Sequence, residues 1–313
     1  MKPLPCIAAV LLALAANAAS QPSLDGVKRV IFLGDSITYS GGYVDILEAA
    51  ARVDHPERAP EFINLGLPSE TVSGLSEPGH AGGQFPRPTV HERLDRVLAK
   101  TKPDLIVACY GMNCGMYYPF SEERFAKYRE GIELLRKKAA AAGAKVIHFT
   151  PPVFDPVPIK ARLLPAGLAE YKQPFEGYNT VLDRYSEWLL QQRAQGWLVF
   201  DTHFPMAKFL ADARATDPAF KLAGDGVHIN ATGHWLIARE VLRAFELAEA
   251  KDGAAFLAAI HPRGAELLKL IAQRQAVMKD AWLSECGHLR PGMKRGLPVA
   301  EAQAKWAELE KQI

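Results

Sequence analysis

The sequence predicts an α/β protein built on a parallel sheet of five strands, and three observations predict it. Short β-branched runs recur along the chain. Longer stretches with helical periodicity separate them. The third run, Asp104-Leu-Ile-Val-Ala-Cys109, is apolar from Leu105 onward, as a central strand covered on both faces must be. Strands that alternate with helices imply right-handed crossovers and therefore a parallel sheet. Composition agrees: of 313 residues 49% are hydrophobic and 23% charged, which excludes a disordered chain. The 37 basic residues against 35 acidic give a net charge of +2, without the basic excess of a nucleic-acid binder.

The elements follow in order. Arg29–Leu33 reads as the first strand, then a turn and a helix from Tyr43 to Arg52. Glu61–Asn64 is the second strand, and Val90 to Thr101 is helical through Leu94, Val97 and Leu98. After the third strand, Glu122 to Ala142 is a long helix with Ser121 as N-cap and Gly143 as stop. Lys145–Thr150 is the fourth strand, closed by Pro151-Pro152. Gly177 to Ala194 is helical, Trp197–Asp201 is the fifth strand, and Ala231 to Ala250 a further helix. Beyond Gly253 no strand is expected. Residues 253–283 read as one helix and Val299 to Lys311 as a last one, so 251–313 forms a helical extension packed on a domain spanning 19–250.

Residues 1–18 have the layout of a secretory signal peptide: Lys2, an apolar run from Ile7 to Ala16, and Ala16-Asn17-Ala18 before a cut at Ala19. The run is too short to span a bilayer comfortably, which disfavours a membrane anchor. No later stretch is long and apolar enough for a span, so a secreted or periplasmic protein is expected. Cys6 leaves with the signal. Cys109, Cys114 and Cys286 remain, an odd number that leaves at least one thiol unpaired within the chain.

Four short segments carry chemistry, each just after a strand or in the late loop where an open α/β sheet places its ligands. Gly34-Asp35-Ser36 follows strand one, and a serine in that turn can present its hydroxyl beside a helix N-terminus. Asn64-Leu65-Gly66 and Gly111-Met112-Asn113 follow strands two and three, and offer a backbone N–H and a side-chain amide to an oxyanion. Asp225-Gly226-Val227-His228 sets a carboxylate three residues before an imidazole, able to fix its tautomer so that the ring accepts a serine proton. Taken singly, each is also an ordinary turn.

In that order, Ser, Gly, Asn and Asp-x-x-His, the set resembles the SGNH hydrolases, the GDSL-type esterase/lipase superfamily, over about residues 28–245. The resemblance implies a three-layer α/β/α, flavodoxin-like fold and hydrolysis of carboxylic esters. It implies Ser36 as nucleophile, His228 as base and Asp225 as its orienting acid. Ser36, Gly66 and Asn113 become the oxyanion donors. Two positions depart from the family pattern: Ile37 stands where leucine is usual, and Cys114 where aspartate usually follows the asparagine. Neither metal nor cofactor is implied, and no His-Glu-x-x-His or paired Cys-x-x-Cys occurs.

Substrate choice is expected from loops at the same edge. The Gly- and Pro-rich segment 76–88 offers His80, Phe85 and Arg87, the run 116–120 offers Tyr117, and the extension offers Trp282. Asp35 lies beside the nucleophile. Each has a plain alternative, as surface loop or packing anchor. The absence of a long apolar lid favours a small acyl group on a polar alcohol, such as an acetylated saccharide. The competing readings are a lipid-directed lipase or (lyso)phospholipase and a non-catalytic carbohydrate-binding protein.

Overall fold

The computed structural model describes residues 24–54, 59–244 and 252–311. The expected signal peptide, residues 1–18, lies outside them, as does the end of the helix expected to reach Ala250. Five parallel strands run β1 (Arg29–Gly34), β2 (Glu61–Asn64), β3 (Leu105–Cys109), β4 (Lys145–Phe149) and β5 (Leu198–Phe200), in the spatial order β2-β1-β3-β4-β5. β1 and β3 are paired in register from Val30 opposite Leu105 to Gly34 opposite Cys109, so their carboxyl ends finish level. Every residue of β3 is buried, as its unbroken apolar run requires.

Helices cover both faces. Val30, Phe32, Phe62, Val107 and Phe149 point to the side of α2 (Gly42–Asp54) and α7 (Ala231–Ala244). On that face the Tyr43 ring meets Phe32 edge-on at 6.0 Å and Phe149 at 5.9 Å. The opposite face carries α3 (Val90–Thr101), α4 (Glu122–Ala141) and α5 (Asn179–Gln191). There Tyr128 of α4 stacks on Tyr185 of α5 at 4.2 Å, and Arg136 sits 4.0 Å over Trp197, itself beside His148 of β4. The fold is thus the three-layer α/β/α sandwich.

Two helices were not anticipated. α1 (Ser36–Ser40) is one turn long, too short for any periodicity, and its cap is Asp35, whose carboxylate accepts the Ile37 N–H. α6 (His203–Thr216) starts where Asp201 Oδ1 accepts the N–H groups of His203 and Phe204.

The single helix expected over 253–283 is two: α8 (Gly253–Ile260) and α9 (Gly264–Cys286). Pro262 causes the break, since the residue before a proline is driven out of the α region. His261 is extended, with φ −152° and ψ 134°. α10 (Val299–Glu310) then packs back on α9.

This helical extension covers the β2 edge of the sheet. Gln275 donates through Nε2 to the Phe62 carbonyl of that edge strand at 3.0 Å and to Glu48 Oε2 at 2.7 Å. Glu48, fully buried on α2, also meets Arg52 and Arg274, and both arginines reach Glu310 of α10. An open edge with unpaired carbonyls templates aggregation, and α9 closes it.

Candidate active site

The four chemistry-bearing segments converge at the carboxyl edge of the sheet. Gly34 ends β1 because no side chain fits: a Cβ would lie 2.1 Å from Thr38 Oγ1 and 2.8 Å from the Cys109 carbonyl. The chain therefore turns sharply and places Ser36 on the first turn of α1. Ser36 Oγ lies 2.8 Å from His228 Nε2, and His228 Nδ1 lies 2.6 Å from Asp225 Oδ2. The other Asp225 oxygen accepts the N–H groups of Val227 at 2.9 Å and His228 at 2.8 Å. Burial pushes the Asp225 carboxyl up, but these bonds from His228 and Val227 outweigh it and hold it below the usual carboxylate range. Asp225 therefore stays ionised and fixes the imidazole with Nε2 toward the hydroxyl. The His228 and Asp225 side chains are 54% and 52% exposed, so the site is open and shallow.

Asp155, fully buried after β4, holds the loop that carries this pair. Its carboxylate accepts Leu222 N–H at 2.9 Å, Ala223 N–H at 3.3 Å and the Arg214 guanidinium, while its own N–H donates to the Gly226 carbonyl. Nothing in the sequence near position 155 marks it, because all of these partners lie far along the chain.

The expected oxyanion donors separate. Asn113 lies at the end of β3, buried, with Nδ2 3.3 Å from the Glu70 carbonyl and Oδ1 accepting from Tyr117 Oη at 3.0 Å. That pair of contacts fixes the amide with its second N–H unassigned. Gly66 is corrected: its N–H donates to Asn64 Oδ1 at 2.9 Å, so it offers no free donor. Glycine is required there for contact, since a Cβ would stand 2.2 Å from the Tyr39 amide nitrogen. The loop after β2 extends the sheet register, Leu65 N–H to the Phe32 carbonyl and Leu67 N–H to the Gly34 carbonyl. Two residues on sits Ser69, in the left-handed region at φ 69°. Its N–H has no partner among the described residues. Serine is uncommon in this conformation, which hid the position from a glycine-based reading.

Beneath that loop lies a buried ion pair. Glu70 and Arg93 are 0% and 1% exposed and joined by two bonds of 2.7 Å. Tyr110 Oη donates to Glu70 at 2.6 Å, and Arg93 also reaches the Leu65 carbonyl at 2.6 Å. Cys114 is buried beside Val72 and Ser73, where burial pushes its thiol up to about 11. All three described cysteines are free and buried.

The expected substrate contacts fare differently. Asp35 is 3% exposed and caps α1, so it faces inward. Arg87 spends its guanidinium on Glu77 in two bonds of 2.7 Å and is a strut of the 76–88 loop. His80 leans on Glu77 and meets Phe85 edge-on at 5.3 Å in the same loop. Tyr117 orients Asn113. Trp282 is corrected: it lies under Arg29 at 5.8 Å with Glu61 and Trp306, at the amino ends of β1 and β2, away from Ser36. The extension reaches the site elsewhere. Lys279 donates to the Tyr39 carbonyl at 2.7 Å, Asp280 accepts from Tyr39 Oη at 3.0 Å, and Arg290 sits 5.3 Å over Phe85.

Asp35 yields a signed pH prediction. Burial, opposed by the Ile37 N–H and the His228 charge, raises its carboxyl from 3.8 to about 6. The folded state then holds this proton more tightly than the unfolded one, so stability falls as pH rises from about 4 to 6. Asp35→Asn keeps a cap acceptor and removes that cost. It is expected to stabilise the fold by about 2–3 kcal/mol at pH 7 and by almost nothing at pH 4. Thermal unfolding at the two pH values checks it; equal gains at both would refute the burial cause.

A parallel α/β sheet that carries a hydrogen-bonded serine, histidine and aspartate at its carboxyl edge has the arrangement of a hydrolase with a serine nucleophile. The chain belongs to the GDSL-like lipase/acylhydrolase family, whose model matches residues 32–236, and it is a hydrolase of ester bonds. Similar solved structures share the fold at low identity. A single-substitution variant of Axe2, an acetyl xylan esterase from Geobacillus stearothermophilus, is 20% identical over 71% of this chain and 96% of that one, with a TM-score of 0.52. BT4096, a gut microbial diltiazem-metabolizing enzyme, is 21% identical with a TM-score of 0.53. That match covers 71% of this chain but only 47% of the enzyme, about half its length. No curated protein matches the chain.

Proposed function

We propose that this hydrolase is an exported serine esterase that removes short acyl groups, acetate first, from carbohydrate. The observation that carries the catalytic half is the unbroken chain Ser36 Oγ to His228 Nε2 at 2.8 Å and His228 Nδ1 to Asp225 Oδ2 at 2.6 Å. His228 takes the Ser36 proton as Oγ attacks the ester carbonyl. The tetrahedral oxyanion is met by the N–H groups of Ser36 and Ser69 and by Asn113 Nδ2. Collapse expels the alcohol, protonated by His228, and leaves an acyl-serine. Water, deprotonated by the same ring, then releases the acid. One oxyanion donor contributes roughly 100- to 1000-fold in rate.

The carbohydrate half is supported by the openness of the site, with His228 and Asp225 half exposed, and by the likeness of the fold to acetylxylan esterases. An acyl chain of lipid length would need an apolar slot to enter, whereas acetate needs only the space above Ser36. Export is supported by the layout of residues 1–18.

Acetylated xylo-oligosaccharides and p-nitrophenyl esters of two to twelve carbons form the test. Acetate release from the sugar is expected, with kcat/KM on the aryl esters falling at least tenfold from acetate to octanoate. A rate that climbs with chain length, with no acetate released from the sugar, would instead favour a lipid-directed enzyme.

A further inference from the structure

Beside Asn113 the chain builds a second feature that ester hydrolysis alone does not require. A groove of about 790 Å³ lies between the segment that follows Asn113 and an exposed arm at residues 168–174, with Glu77–Gly79 as its lip. We infer that this groove binds the sugar of the substrate, as an oligosaccharide laid against Tyr118 and Tyr171. The inference rests on the carbohydrate-esterase reading above and names where the glycan sits.

Four observations carry it. The groove begins at the catalytic edge, because Tyr117 both lines it and holds Asn113 Oδ1 at 3.0 Å. A ring seated there places its acyl-bearing hydroxyl next to the oxyanion pocket.

Its walls are aromatic and partly exposed, with Arg124 5.4 Å over one side of the Tyr118 ring. Tyr118 and Tyr171 lie 5.7 Å apart, tilted by 40°, and form an angled platform. Phe120 and Leu168, 38% and 43% exposed, extend it, and large apolar side chains so exposed usually mark a contact surface. The flat C–H faces of a sugar ring suit such a platform.

The polar fringe suits a partner that both donates and accepts. Glu77 at the lip is held by Arg87, and Glu170 faces Arg124 and Lys172, so the fringe interleaves donors with acceptors. Hydroxyls both donate and accept, and match that pattern. An acyl chain would want a groove free of charges.

The backbone is strained where the platform starts. Met116 and Tyr117 both sit in the left-handed region, at φ 57° and 59°, which costs about 1–3 kcal/mol per residue. Only surrounding bonds hold them there, among them Met116 N–H to the Asn113 carbonyl and Phe175 N–H to the Tyr117 carbonyl. The second of these ties the base of the arm to the strained turn, so the two walls are set relative to each other.

The test compares Tyr118→Ala, Tyr171→Ala and Tyr118→Phe in the full chain, on p-nitrophenyl acetate and on an acetylated xylo-oligosaccharide. Each alanine variant is expected to lower kcat/KM on the sugar at least tenfold more than on the aryl ester, mainly through KM. Tyr118→Phe, which keeps the ring, should stay within about threefold of the parent. Equal losses on both substrates would overturn the proposal, since the aromatics would then only prop Asn113. No loss on the sugar would also overturn it and place the glycan elsewhere, while leaving the carbohydrate-esterase reading intact. A parent enzyme that cleaves p-nitrophenyl acetate but releases no acetate from the sugar would remove that reading and the groove's assignment together.

Discussion

Replacing Ser36 with alanine is expected to lower kcat on p-nitrophenyl acetate by about 10⁴- to 10⁶-fold while thermal stability stays within about 1 kcal/mol of the parent. The kinetic loss is large because Ser36 Oγ is the nucleophile of the proposed mechanism and no neighbouring hydroxyl among the described residues stands in its place: Thr38 is fully buried and bonded to Tyr43 Oη at 2.9 Å, and Ser40 is bonded to the Ile37 carbonyl at 2.7 Å. The structural loss is small because among the described residues Ser36 Oγ bonds only to His228, and alanine is well tolerated in a first helical turn. The residual rate reports the oxyanion donors and binding, which keep working without the triad. Steady-state kinetics and a melting curve on the same preparation measure both halves. A variant within tenfold of the parent would place the reaction at another group. A parent no faster than buffer would revive the non-catalytic binding protein.

What the sequence disclosed and what it hid divide along a physical line. Ser36, Asn113, Asp225 and His228 were legible because each stands within a few residues of a strand end or of its own partner: Asp225 and His228 are three apart and bond directly. β3 was legible because a strand covered on both faces must be apolar. Long-range partnerships left no local trace. Glu70 and Arg93, 23 positions apart, carry no local mark of their pairing, yet both are buried, and Asp155 meets the start of the catalytic loop across 67 residues. Gly66 misled for a local reason, since the asparagine two residues earlier occupies its N–H. Trp282 misled because an aromatic residue in a polar neighbourhood suits a packing anchor as well as a cleft.

The Glu70–Arg93 pair is where the largest stability effect is expected. Arg93→Ala leaves a carboxylate with no counter-charge at the centre of the molecule, and breaking a buried pair from one side costs about 3–5 kcal/mol. For a domain of this size that lowers Tm by roughly 6–20 °C. The loss has a sign in pH. Burial already pushes Glu70 up, and removing the guanidinium that opposes it pushes it further. The folded variant then binds a proton that the unfolded chain gives up, so its deficit against the parent should grow as pH rises from about 5 to 8. Adding Glu70→Gln to Arg93→Ala removes the stranded charge and should recover part of the loss, with the pH dependence gone. Denaturation of the three proteins at both pH values decides it; a deficit independent of pH would mean that cavity formation, not charge, dominates. Activity is expected to fall in the single variant even where it remains folded. The Glu70 carbonyl holds Asn113, and Arg93 pins the Leu65 carbonyl at the start of the loop that leads to Ser69. The ion pair beneath the site therefore sets the positions of two proposed oxyanion donors, and the same bonds that stabilise the fold aim its chemistry.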